Sequence, residues 1–320
     1  MDNLILILVP GAPEGFDFDK CIQISSLLID ALGLLGNGVV LWLLGFRIQR
    51  TPFSVYILNL AGADALFLCC SFLIFIDKTV RFLYSSFVFM ATLCLRYISY
   101  TVGLSLLAAI STERCLSALF PLWYRCHRPK HTSATVCTGL WVLITLPAVT
   151  NFVLCFFKFA PHSCPHFVIV RFLWFLLLTC VLCVSSLTLL LRVQCSSRRR
   201  QPPRLYLLVL LTVLVFLLCG LPLGFGDFIN NRFQLKSMPR WLSSLLACVN
   251  SSANPFIYFF LGSQNLKRKR EPLRVILQRV LGDEQELGGG TSDTPHTSIQ
   301  ETTLSKALCT LEPPSLLEAP

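Results

Sequence analysis

Charge is what this sequence has least of. Only 14% of its 320 residues are Asp, Glu, Lys or Arg, and 54% are hydrophobic, whereas a soluble domain carries about a quarter charged residues. That deficit excludes an ordinary water-solvated globule and points to a chain solvated mostly by lipid. Zinc-ligand spacing is also missing: "CHRPKH" (126–131) comes nearest but lacks a partner Cys pair. The opening "MDNLILILVP" starts acidic and its apolar run is too short for a secretory signal. The first long apolar segment is therefore expected to act as its own targeting signal. Neither an internal repeat nor a second domain is visible. Cysteine, in contrast, is plentiful at 15 residues, but most lie in apolar runs such as "LFLCCSF" and "TCVLCV". There they behave as small hydrophobes rather than as a disulfide scaffold.

What is present is a series of long apolar runs. Crossing a bilayer takes about 20 apolar residues per helix, and seven segments qualify: about 22–46, 54–76, 87–119, 134–157, 167–191, 205–229 and 241–262. The expected class is an all-α membrane protein, a seven-helix bundle over 22–262 between an N-terminal segment (1–21) and two C-terminal ones. "RIQR", "YRCHRPK", "VQCSSRRRQPPR" and the tail from "KRKR", with Arg114, Arg192 and Lys306, hold two thirds of the 27 Lys and Arg residues. The positive-inside rule then places the N-terminus outside and the C-terminus in the cytoplasm. Leu273, Ile276, Leu277 and Val280 recur at helical spacing among basic residues. A short amphipathic helix on the inner leaflet is expected over 263–282. From 283 to 320 the chain is polar and rich in Ser and Thr, which reads as a disordered tail with hydroxyls open to phosphorylation or to no regulation at all. The lipid bilayer is the implied environment, and no nucleic-acid partner is expected.

Ionisable and amide side chains inside such spans are costly and turn toward the bundle interior. Asp64 sits mid-span in "NLAGADALFL". On the seventh span Asn250, Ser251, Asn254 and Tyr258 share one helical face, and Pro255 removes a backbone hydrogen bond among them. Asn37 in "LLGNGVV" adds a third contributor. Such a cluster can trade hydrogen bonds, hold water, bind a small cation beside Asp64, or simply glue helices together. At the end of the third span stands a charge pair, Glu113-Arg114, within "AAISTERCLSALFP".

Asn37, Asp64 in "LAGAD", Glu113-Arg114, Trp141, Pro222 and "NPFIY" fall in order, one motif per span. Over about residues 22–270 this pattern resembles the rhodopsin-like (class A) G protein-coupled receptors. Longer strings narrow it: "VVLWLLGFRIQRTPFSVYILNLAGAD", "YTVGLSLLAAISTERCLSALFPLWYRCHRPKH" and "NSSANPFIYFFLGS" are similar to the Mas-related receptors, as is Gly220 in "FLLCGLP" where the wider superfamily has Trp. The resemblance implies a plasma-membrane receptor, not an enzyme and without a cofactor. A ligand on the extracellular side would activate a heterotrimeric G protein, with arrestin as a partner of a phosphorylated tail and a sensory, nociceptive or itch setting. It implies that Glu113 holds Arg114 at rest, and that Arg114 is freed to meet the G protein. Pro222 would kink the sixth span above Phe216 and Cys219. Asp64, Asn250, Ser251, Asn254, Pro255 and Tyr258, with Asn37, would relay the change.

Several positions depart from the wider pattern. Phe89 stands near the place of the usual third-span cysteine, and Cys94 lies deeper. The resemblance implies instead a local Cys155–Cys164 bridge, the alternative being two free thiols. Cys180 replaces the fifth-span proline and Thr188 its usual Tyr. Gly103 stands where a Ser often helps Asp64 bind sodium, leaving at best a partial sodium site of Asp64, Asn250, Ser251 and Asn254. Amine receptors carry an Asp where this chain has Arg96, and the late fourth span shows Asn151 rather than an acid. Arg96, Arg171, Arg232, Lys236 and Arg240 outnumber Asp30, Asp77 and Asp227 in the outer half. That balance points to a small-molecule or peptide ligand with anionic character, unless Asp77 or Asp227 neutralises Arg96 internally. Tyr97, Tyr100 and Phe225 are candidates to line the pocket. The only Asn-x-Ser/Thr sequon, at Asn250, lies inside a span, so the outer segments are expected to be unglycosylated. Two other classes compete: an ion or proton transporter built around Asp64, against which no inverted repeat is seen, and an intramembrane hydrolase, against which "GLSL" (103–106) lacks a following Gly.

Overall fold

In hydrocarbon every backbone N–H and C=O must be satisfied within the chain, which leaves helices as the only spanning solution for unpaired segments. The computed structural model follows that rule across the residues it describes, which are 18–48, 51–80, 86–129, 131–159, 164–195, 204–233, 239–263 and 272–278. Helix α1 (Phe18–Trp42) ends in a π turn, Leu43–Arg47. Helices α2 (Pro52–Val80) and α3 (Ser86–Leu119) follow, then a short α4 (Pro121–His127), α5 (Thr132–Phe156) and α6 (Cys164–Cys195). The sixth span is built from α7 (Arg204–Val215), a π turn at Phe216–Gly220, and α8 (Leu221–Phe233); α9 (Arg240–Ser263) is the seventh. Seven segments are long and apolar enough to cross a membrane, from Ile24–Arg47 to Trp241–Ser263. They coincide with the expected spans to within a few residues.

The core lies along α3, which is buried from Val102 to Ala108. Outward faces stay apolar: Leu32, Leu35, Leu146, Val184 and Leu218 are all more than half exposed, as lipid contact requires. Helix α1 sits close against α9. A Cβ at Gly33 would clash with Ser252 Oγ, and one at Gly36 would come within 3.1 Å of Pro255. Polar ties cross the bundle at two further places. Trp141 Nε1 donates to Asn59 Oδ1 at 3.2 Å, and Ser111 Oγ lies 2.7 Å from Ser185 Oγ and 3.1 Å from that of Ser186.

Apolar periodicity did not indicate α4 or the π turn of the sixth span. The π turn has a local cause. Pro222 lacks the N–H that would bond the carbonyl of Leu218 in a regular helix, and the π turn at Phe216–Gly220 contains that residue. The widened backbone brings the Phe216 ring against Gly220, where an added Cβ would collide with it. Residues 273–278 are helical, with Ile276 and Leu277 buried and Leu273 and Val275 exposed. Leu277 joins the bundle core. The N-terminal segment up to residue 17 and the expected tail from 283 lie outside the described residues.

Candidate functional site

A cavity of about 760 Å³ opens among α3, α5, α6 and α8, at the end of the bundle where α3 and α6 begin. That is the size of a small-ligand site. Its walls are aromatic and aliphatic: Phe152, Phe156, Phe172, Trp174 and Phe175 face Met90, Ile144 and Leu223. Arg96, Tyr97, Tyr100, Asn151 and Arg171 all line it, and no Asp or Glu among the described residues does. The Arg171 guanidinium stacks 3.4 Å above the Tyr97 ring, and Arg96 lies 5.2 Å from the Phe67 centroid. Phe225 does not line the cavity. It packs edge-on against Phe172 and Phe175, which do. The Asp227 side chain lies outside the described residues. A close approach of α8 to α6 shapes the wall, because a Cβ at Gly224 would collide with the Phe175 ring.

A hydrogen bond connects the cavity floor to the sixth span. Tyr100 donates its hydroxyl to the Gly220 carbonyl at 2.7 Å, while Phe216, 1% exposed, fills the space beside Gly220. Cys219 is half-buried on the same π turn, one residue before Gly220. This bond was not foreseen; "FLLCGLP" signalled the missing side chain but not what would bind its backbone.

Deeper along the bundle, Asp64 accepts a 2.7 Å hydrogen bond from Asn254 Nδ2. Asn37 Nδ2 donates to the Gly33 carbonyl and, across to α9, to the Ser251 carbonyl at 3.1 Å. Asp64, Gly103, Phe216, Asn250 and Ser251 surround a cavity of only about 10 Å³, room for one water at most. The Tyr258 hydroxyl is buried without a hydrogen-bond partner among the described residues. Pro255 is buried against Gly36. Among the described residues no group of three or more His, Cys, Asp or Glu is placed to hold a metal ion.

At the opposite end Glu113 and Arg114 are both buried, 8% and 4% exposed. The Glu113 carboxylate is engaged by Arg128, beyond α4, whose Nε donates at 2.8 Å and whose Nη2 reaches the same oxygen. Arg128 also donates to Ser133 Oγ. Burial works to lower the pKa of Arg128, but the hydrogen bond and charge of Glu113 outweigh it and hold the guanidinium above its ordinary value. The Arg114 guanidinium lies 4.4 Å over the Phe53 ring. The expected Glu113–Arg114 hold therefore gives way to a Glu113–Arg128 bridge. Neighbours on a helix point about 100° apart, so Glu113 turns to the cation that faces it. A basic residue in "YRCHRPK" was the available signal, but its reach back depends on how α4 folds.

Cys155 is disulfide-bonded. Cys164, the partner the sequence points to, opens α6 with its side chain outside the described residues. Cys126 on α4 is disulfide-bonded too, which the sequence did not suggest. The two cannot pair with each other, since Cys155 lies 23 residues along α5 from Thr132, roughly 35 Å at 1.5 Å per residue.

Residues 36–258 match the model of the rhodopsin family of seven-transmembrane receptors. The chain is 46% identical to a Mas-related G-protein coupled receptor member D from Macaca fascicularis, over 88% of this chain and 91% of that one. It is 42% identical to member X1 from Homo sapiens, over 91% and 93%, and 46% identical to member E from Mus musculus, over 88% and 93%.

Proposed function

Because the chain belongs to the rhodopsin family of seven-transmembrane receptors, and within it to the Mas-related G protein-coupled receptors, we propose that its cavity takes an amphipathic anion from the extracellular side. Membership carries ligand binding and G protein coupling with it, and a multi-pass membrane protein rather than an enzyme. Transport built around Asp64 is not favoured against that kinship. The observation that carries the ligand reading is the pairing of two guanidinium groups with an aromatic wall and no lining Asp or Glu among the described residues. Arg pairs well with carboxylate or sulfonate oxygens, and the rings suit a flat apolar body.

In this reading the ligand contacts Arg96, Arg171 and Tyr100, and Tyr100 passes the change to the Gly220 carbonyl. The π turn just before Pro222 is the hinge, and its reshaping moves Phe216 and Cys219 against the Asp64–Asn254–Tyr258 cluster. Affinity must differ between the two states for any such shift to occur. At the far end the Glu113–Arg128 bridge opens and Arg114 turns to the G protein α subunit. The N-terminus lies outside and the C-terminus in the cytoplasm, with arrestin meeting the Ser- and Thr-rich tail. Kinship adds a sensory or nociceptive setting. By this orientation the Cys126 bond faces a compartment whose thiol poise opposes it.

The test is guanine-nucleotide exchange on purified heterotrimers, driven by matched anionic, neutral and cationic ligands. The reading expects the anionic set to activate, and Arg171→Ala to weaken that response at least tenfold. Activation by cationic peptides alone sinks it.

A further inference from the structure

A fully buried acid and a half-buried base that lines the cavity sit on different helices. Asp30 of α1 is 0% exposed, and neither carboxylate oxygen has a well-formed hydrogen bond among the described residues. The groups that act on it are the Cys248 thiol of α9 and the charge of Arg96 on α3. Arg96 shows the matching deficit, because its Nε and Nη2 are buried without a hydrogen-bond partner among the described residues. The Ser71 hydroxyl of α2, beside Cys248, is buried and lacks one in the same way. Four helices thus bring together two orphaned acceptors and at least two orphaned donors. A carboxylate with no compensation in such a place is among the most costly arrangements a bundle can hold. No direct Asp30–Arg96 ion pair forms among the described residues, so a pairing between them has to run through a bridging group. Several convergent polar atoms are what a buried water needs.

Resting on the anionic reading of the cavity, we propose that Asp30 is the internal counter-ion of Arg96, joined to it through a bridging water, and that it sets how much of the guanidinium a ligand can engage. Arg96 has two sides. One lines the cavity, and the other faces the pocket of Asp30, Ser71 and Cys248. A ligand anion and Asp30 therefore compete for the same cation. Asp30 never touches the ligand; it is a positioning residue that acts through Arg96. From the sequence, Asp77 or Asp227 was named for this part, and Asp30 counted only among the outer acids.

Two measurements decide it, both on full-length receptor in lipid nanodiscs. The first is a double-mutant cycle on the unfolding temperature with Asp30→Asn, Arg96→Gln and the pair, and with Asp30→Glu as the conservative control. Each single neutral variant leaves one buried charge alone and lowers the midpoint by several degrees; the double variant recovers part of the loss and Asp30→Glu most of it. Additive losses overturn the pairing. The second is equilibrium dialysis of naphthalene-2-sulfonate and its neutral sulfonamide, with empty nanodiscs as the blank. Asp30→Asn is expected to bind the sulfonate about fivefold tighter or more and the sulfonamide unchanged. Coupled stabilities with unaltered sulfonate affinity overturn the positioning role. No sulfonate binding by any variant removes the anionic reading of the cavity, while the stability cycle still decides the pairing.

Discussion

Glu113 places one carboxylate oxygen on Arg128 and leaves the other, Oε2, buried without a hydrogen bond among the described residues. Both partners' side chains are only 11% exposed, so the bridge is shielded from water and salt more than a surface pair. A bridge of this kind restrains the segment after α4 and, through Ser133, the start of α5. Breaking it is expected to raise basal nucleotide exchange. Arg128→Ala and Glu113→Gln should each do so, and combining them should add little, giving a coupling of about 1 kcal/mol or more. Additive effects, or silence in receptors expressed normally at the surface, would sink the latch. Arg114 has a separate environment over Phe53 and is expected to act in coupling rather than in the latch. The acid and its neighbour were legible in "AAISTERCLSALFP"; which cation answers the acid was not, because Arg128 is 15 residues away and arrives only through the fold.

The sixth span shows the same division for an element. Pro222 announced a kinked helix and Gly220 a missing side chain. The structure has a full π turn, with the Phe216 ring lying where a side chain at 220 would sit. Glycine is therefore required by space and not by backbone angle. Gly220→Ala is expected to push the Phe216 ring by a side-chain rotation and to weaken the Tyr100 hydrogen bond to the 220 carbonyl. The cost should be about 1–3 kcal/mol in thermal unfolding, together with altered basal exchange. A variant with wild-type stability and wild-type basal activity would show that the turn is not the hinge. Helix α1 depends on the same kind of contact, through Gly33 against Ser252.

For the whole molecule, the cavity is walled mainly by α3, α5, α6 and α8. Walls from α5 and α6 meet near Cys155, which is bonded. A Cys155–Cys164 bridge closes a loop of about ten residues, for which chain entropy supplies about 2–3 kcal/mol. Cys155→Ser should lower unfolding stability by roughly that amount. Peptide mapping under non-reducing conditions should recover the two cysteine peptides joined. Alkylation of Cys155 in the unreduced receptor would overturn the assignment.

Class and the number of spans followed from the sequence alone. Seven runs of sufficient length with few charges admit only a helical bundle, because lipid cannot satisfy an open backbone. The order of Asn37, Asp64, Glu113-Arg114, Trp141, Pro222 and "NPFIY" then pointed to the family. Helical spacing was enough to gather Asn250, Ser251, Asn254 and Tyr258 on one face, since that depends on one element's period. Partnerships between elements were decided only by the tertiary structure. Tyr100 with Gly220 and Arg128 with Glu113 join residues 120 and 15 positions apart. Each depends on how the helices and their connections are turned toward one another. A hydropathy pattern shows which face of a helix is buried, but not which neighbour that face meets.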